Sequence, residues 1–142
     1  MPLREKSRGL ERQVGNNMTN YPVGDFLIRI KNAALGRNKK VIVPKTKMVV
    51  ALAQALKKEG YLDEVKVVKN ELTVSLAYQK KEPVLLDIKL MSKPGLRVYM
   101  NANELSKIRK PSIILVSTPK GILNAKLAAK QRLGGELIVE VW

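Results

Sequence analysis

Ser112-Ile113-Ile114-Leu115-Val116-Ser117-Thr118-Pro119-Lys120-Gly121, followed after a basic segment by Gly134-Gly135-Glu136-Leu137-Ile138-Val139-Glu140-Val141-Trp142, decides how this chain folds. Ser112 to Val116 and Glu136 to Trp142 are short runs of branched apolar residues bounded by turn residues, which reads as two buried strands. The amphipathic segment from Leu123 to Lys130 reads as a helix between them. Exposed peptide groups, two hydroxyls and Lys120 then meet at one sheet end, where a phosphate backbone can lie close. Ser117 and Thr118 equally read as a helix cap at a strand-to-helix junction. Gly134-Gly135 reads either as a close backbone approach or as a positive-φ turn into the last strand.

Working backwards, Val84, Leu86, Ile88 and Leu90 alternate like a strand. Ser92-Lys93-Pro94-Gly95 is a turn, and Leu96 to Tyr99 a return strand. Asn103 to Lys107 gives one helical turn before Pro111. The polar, proline-bearing stretch Gln79 to Pro83 marks a domain junction. Ahead of it, Val23, Phe26, Leu27, Ile30, Ala33 and Ala34 have helical spacing, with Pro22 in the first turn and Gly36 at the end. Lys40 to Val43 is a strand stopped by Pro44. Thr46 caps a helix that buries Val49, Val50, Ala53 and Leu56 and ends at Gly60. Leu62 to Val68 and Glu71 to Tyr78 form a hairpin around Lys69-Asn70.

The fold class expected is therefore α+β with two small domains. Residues 18–82 form an α-β-α-β-β unit, and residues 83–142 a mainly β unit with a short helix. Residues 1–17 are polar and without period, and are expected to be a mobile basic extension, with Met18 an alternative start.

The charge points to a polyanion. Across 142 residues, 27 Lys and Arg stand against 12 Asp and Glu, a net charge of +15 and a pI near 10.2. Nucleic acid matches such spaced cations better than an anionic membrane does. No window approaches a membrane-spanning length and no secretory signal pattern opens the chain. With no Cys and no His, disulfides, thiolate zinc sites and histidine-based triads are excluded.

Three constellations carry the binding chemistry. Lys93-Pro94-Gly95-Leu96-Arg97-Val98-Tyr99 places Arg97 and Tyr99 on one face of an extended strand, able to clamp a phosphate and pack on a ribose. The bland alternative is a hairpin with a solvated arginine. Ser117-Thr118 and Lys120 offer hydroxyls and a cation, while Lys120-Gly121 lacks the first glycine of a phosphate-binding P-loop, so nucleotide binding is rejected. Arg29, Lys31, Arg37, Lys39, Lys40, Lys45 and Lys47 gather around one helix and loop with few acids between them, a phosphate-tracking surface. A carboxylate nuclease is the enzymatic rival, but Asp63, Glu64 and Asp87 have neither paired nor metal-ligand spacing.

Met91 to Tyr99, Val116 to Gly121 and Gly134-Gly135-Glu136 with terminal Val141-Trp142 resemble the signatures of the family of the eighth small-subunit ribosomal protein, bacterial type. Asp25 to Ala33 is similar to that family's first helix, and the resemblance spans Met18 to Trp142. It implies a two-domain α+β fold without catalytic activity or cofactor, and no small-molecule substrate. The implied function is primary binding of the central domain of small-subunit rRNA, which nucleates assembly there. Neighbouring ribosomal proteins are implied partners, and repression of the protein's own operon mRNA is an alternative role. By motif, Ser117, Thr118, Lys120, Gly134, Gly135 and Glu136 form the main RNA contact, with Arg97, Tyr99 and Lys93 beside it. Arg29, Lys45, Thr46 and Lys47 match the first domain's contact. Pro119 stands where the family commonly has serine, and Asn124-Ala125-Lys126-Leu127-Ala128 replaces Thr-Asp-Arg-Glu-Ala, losing both acids. The implied location is the ribosome of a bacterial cytoplasm, with a plastid stroma as the alternative.

Overall fold

The computed structural model describes residues 21–142, so the expectations for residues 1–17 and for Met18 lie outside the described residues. Helix α1, Pro22–Leu35, starts on its proline and buries Phe26, Leu27, Ile30, Ala33 and Ala34 before Gly36 ends it. Strand β1, Lys40–Pro44, turns Val41 and Val43 inward. Thr46 accepts a hydrogen bond from Val49 N–H at 3.1 Å and so caps α2, Lys47–Lys58. Strands β2, Leu62–Val68, and β3, Glu71–Leu76, close a hairpin in which Lys69 takes a positive φ of 56°. The sheet order is β1-β3-β2, with β3 antiparallel to both neighbours.

The stretch expected at a domain junction forms a small hairpin, β4 Tyr78–Gln79 against β5 Glu82–Pro83, turning on Lys80 and Lys81 at φ 54° and 69°. Beyond it the expected strand is shorter and differently phased. Only β6, Ile88–Leu90, is extended and paired; Leu85 is buried, while Leu86 is 77% exposed. The reason lies in the hydrogen bonding, part of it distant: Val84 N–H bonds to Ala77 O, Leu86 N–H to Trp142 O, and the Asp87 carboxylate accepts from Ile88 N–H at 2.8 Å. The ladder with the last strand therefore begins at Ile88.

The remaining elements are β7 Tyr99–Met100, α3 Ala102–Ser106, β8 Ile113–Thr118, β9 Gly121–Asn124, α4 Ala125–Lys130 and β10 Gly135–Val141. The larger sheet runs β6-β10-β8-β9, with β7 also paired to β10. Its β8 and β10 strands read as continuous apolar runs because both faces are covered. Ile114, Val116 and Leu137 pack with Leu105, Ala125 and Ala128 of α3 and α4. Leu115, Val139 and Val141 join the larger cluster that includes Phe26, Leu52 and Leu56 of α1 and α2. The sheet is thus a middle layer between two helical layers. Polar ties reinforce this: Asn124 Nδ2 donates to Glu59 Oε2 at 2.8 Å, and Lys31 Nζ lies 3.1 Å from Asp87 Oδ1. Hydrogen bonding to Ile88 N–H and then to Lys31 holds the Asp87 carboxyl below its usual range.

Candidate nucleic-acid interface

The expected strand-to-helix junction at Ser117–Gly121 is a tight β-hairpin. Thr118 pairs with Gly121 across Pro119-Lys120, and Gly121 has φ 110°. Proline at the second and glycine at the fourth position of such a turn satisfy its backbone without strain. The Thr118 hydroxyl donates to Gly121 O at 2.7 Å and accepts from Lys120 N–H at 3.2 Å, so it organises the turn. The cap of the following helix is Asn124, whose side chain accepts from Leu127 N–H at 2.7 Å. The helix-cap reading of Ser117-Thr118 is therefore replaced by a turn.

The glycine pair also has a definite cause. Neither Gly134 nor Gly135 is among the positive-φ glycines, which are Gly60, Gly95 and Gly121; Arg132 supplies the left-handed residue before the pair, at φ 60°. A Cβ on Gly134 would stand 2.7 Å from Met100 O and 2.8 Å from Asn101 Cα. One on Gly135 would overlap Ser117 O. Both glycines are required by close approach of β10 to its neighbours, not by a turn.

That approach assembles the site. Glu136 pairs with Tyr99 on one side and Ser117 on the other, so these three residues form a row across β7, β10 and β8. Tyr99 is 66% exposed, an uncommon surface aromatic, and Ser117 is partly exposed. Arg97 reaches Glu136 Oε2 at 3.2 Å and sits 5.7 Å from the Tyr21 ring centroid. The Tyr21 hydroxyl in turn donates to Ser92 O at 2.7 Å. Burial, partly offset by Arg97, raises the Tyr21 pKa. Ser92 is fully buried, and its hydroxyl accepts from Val98 N–H at 2.9 Å and donates to Val98 O at 3.3 Å. Ser92 thereby fixes the turn Lys93-Pro94-Gly95-Leu96, whose ends bond reciprocally at 2.9 Å and whose Gly95 has φ 85°. Lys93 is exposed at that turn and Lys120 at the other.

Tyr21 and Ser92 escape the sequence reading because Tyr21's partners lie 71 and 76 positions away. A tyrosine ahead of Pro22 gives no local sign of them.

The first half's candidates form a separate group. Arg29 is tied to Asp25 at 3.1 Å and to Ile42 O at 3.2 Å, Lys31 to Asp87, and Arg37 to Glu82 at 3.0 Å. Three of the seven clustered cations are therefore offset by acids, two of them by residues distant in sequence. Lys39, Lys40, Lys45 and Lys47 form no ion pair among the described residues. Lys45 N–H bonds to Asn70 O at 2.8 Å, which presents Lys45, Thr46 and Lys47 at the β1–α2 corner. Among the described residues, no hydrogen bond or ion pair joins this corner to the Ser117 row.

A sheet end with serine, tyrosine and arginine held in register, flanked by uncommitted lysines, can hydrogen-bond and stack on a polynucleotide. The described residues contain no acidic cluster able to hold a metal ion, and no helix long and apolar enough to cross a membrane. Against known families, residues 21–142 match the model of ribosomal protein S8. The chain belongs to the ribosomal protein S8 family. Small ribosomal subunit protein uS8 of Desulfovibrio desulfuricans is 39% identical over 126 residues, covering 88% of this chain and all of that protein. The uS8 proteins of Spiroplasma kunkelii and Thermosynechococcus vestitus are 43% and 41% identical, covering 84% and 87% of this chain and 96% and 98% of their own lengths. The match to the S8 family includes Tyr21 as well as every candidate residue of both groups.

Proposed function

We propose that this chain is a structural protein of the small ribosomal subunit that binds the central domain of its rRNA without catalysing a reaction. The observation that carries this reading is the row Tyr99–Glu136–Ser117, locked in register by Gly134 and Gly135 beside the Arg97 guanidinium. Ser117 offers a hydroxyl to base edges or a 2′-OH, Tyr99 a face for ribose or base, and Arg97 a planar donor to phosphate. Glu136 holds Arg97 and keeps an acceptor at the site. Thr118, Gly134 and Gly135 act by shaping the backbone, while Lys93 and Lys120 add charge. Arg29 braces α1 to β1, and the corner of Lys45, Thr46 and Lys47 supplies a second, electrostatic contact.

The test is affinity for a central-domain rRNA stem against an unrelated hairpin, with wild type and Ser117→Ala. Loss of one hydrogen bond, about 1 kcal/mol, lowers the preference roughly fivefold. Equal affinity of the wild type for both RNAs would sink the proposal.

A further inference from the structure

A further basic surface lies on the other side of the larger sheet. There α4 and the segment joining α3 to β8 enclose an open groove of about 710 Å³. Its floor is apolar, with Leu105, Ile108 and Ala129, and its walls carry Arg109, Lys110, Lys126 and Lys130. Helix α4 packs through Ala125 and Ala128 on the face of β8 and β10 that carries Val116 and Leu137. Ser117 follows Val116 and so points to the opposite face, the one shared with Leu115. The groove is therefore separate from the Ser117 row.

Its charge is largely uncommitted. Lys110 lies 3.6 Å from the buried Glu140, whose carboxylate also accepts from the Ser112 hydroxyl. One Arg109 guanidinium nitrogen folds back on Ser106 O at 2.6 Å and Ile108 O at 3.1 Å, and its other N–H groups have no partner among the described residues. Lys126 and Lys130 are exposed and form no ion pair among the described residues. They stand four residues apart on α4, about 6 Å along its axis, close to the step between neighbouring phosphates on one strand. The α4 segment Ala125–Lys130 contains no acid to compete for them.

We propose that this groove is a third contact for RNA, one for its phosphate backbone, with Lys126 and Lys130 as its principal cations and Arg109 beside them. The proposal rests on the RNA-binding reading above and adds a surface that grips backbone without reading sequence. It lets the larger sheet engage nucleic acid from both sides: one through hydrogen bonds and stacking, the other through charge.

The full chain is titrated with an RNA duplex of unrelated sequence over a salt series, comparing wild type, Lys126→Gln/Lys130→Gln, and a control, Lys57→Gln/Lys58→Gln, at the exposed end of α2. Two lost phosphate contacts lower the slope of log affinity on log salt by about 1.8. Between about 50 and about 200 mM salt the groove variant then loses roughly twelvefold less affinity than wild type. The control should keep a slope near that of wild type. A groove variant with the wild-type slope, or a control with an equal change, would overturn the proposal. So would an unchanged RNA slope with lost binding of poly-glutamate, which assigns the groove to an acidic peptide. Selectivity for the cognate stem is read separately with Ser117→Ala, so its failure leaves the groove result standing.

Discussion

Replacing Gly135 by alanine places a methyl group where no flexible side chain can yield. The new Cβ would overlap Ser117 O and stand 2.8 Å from Ser117 C and 3.2 Å from Val116 Cγ1. Two of these three atoms are backbone atoms of the adjacent strand, and the third belongs to a fully buried valine. Relief requires β10 to move away from β8, which opens the Glu136–Ser117 pairing. Overpacking of this kind costs about 1–3 kcal/mol, and a weakened ladder hydrogen bond adds about 1 kcal/mol. For a folded unit near 120 residues each kcal/mol lowers the melting temperature by roughly 4 °C, so Gly135→Ala should melt roughly 8–16 °C below wild type. The melt is followed by circular dichroism, with Gly121→Ala as comparison. At Gly121 no neighbouring atom would meet the Cβ, and the cost comes from φ 110° alone, about 1–2 kcal/mol. Because Ser117 moves with its strand, Gly135→Ala should also lose RNA selectivity at temperatures where it stays folded. A melting point within about 2 °C of wild type would refute the close-approach reasoning.

Asn124→Ala removes both the α4 cap and the bond to Glu59, and should cost about 1–2 kcal/mol, seen as a melting point roughly 4–8 °C lower. Glu136→Gln frees Arg97 from its ionic partner, so RNA affinity should shift while the melting temperature stays near wild type; unchanged affinity for cognate RNA would remove Glu136 from the site. The Asp87 carboxyl is held below its usual range when folded, so its contribution is present above the unfolded value and is lost as pH falls through the folded one. Thermal melts of wild type and Asp87→Asn should therefore converge at low pH and separate as pH rises, with wild type the more stable. Tyr21→Phe deletes the hydroxyl that holds Ser92 O but keeps the ring beneath Arg97, and should weaken cognate binding less than Tyr21→Ala.

Much of the architecture was legible because it is written locally. Pro22 and Gly36 bracket α1, Thr46 caps α2, and alternation in Glu71–Leu76 fixes a strand with one face inward. Local pattern failed where a distant group set the backbone. Alternation groups Leu86 with Val84, Ile88 and Leu90 on one strand, but its N–H is engaged by Trp142 O and Leu86 is exposed where Ile88 is buried. Ser117-Thr118-Pro119-Lys120-Gly121 has residues common to caps and turns alike, and only the pairing of β8 with β9 selects the turn. The glycine pair stands out in the sequence, yet its cause is backbone lying far earlier in the chain, Met100 34 positions before Gly134 and Ser117 18 positions before Gly135. Cation counting found the basic corner, but the acids that offset Lys31 and Arg37 come from Asp87 and Glu82 across the fold.

The chain contains no cysteine, so a single Ser117→Cys carries a tethered iron chelate at one defined place. Bound to intact small-subunit rRNA, this protein should direct hydroxyl-radical cleavage to a compact set of central-domain nucleotides. Cuts scattered through the rRNA, or confined to another domain, would contradict the claim that the Ser117 sheet end is the surface that recognises it.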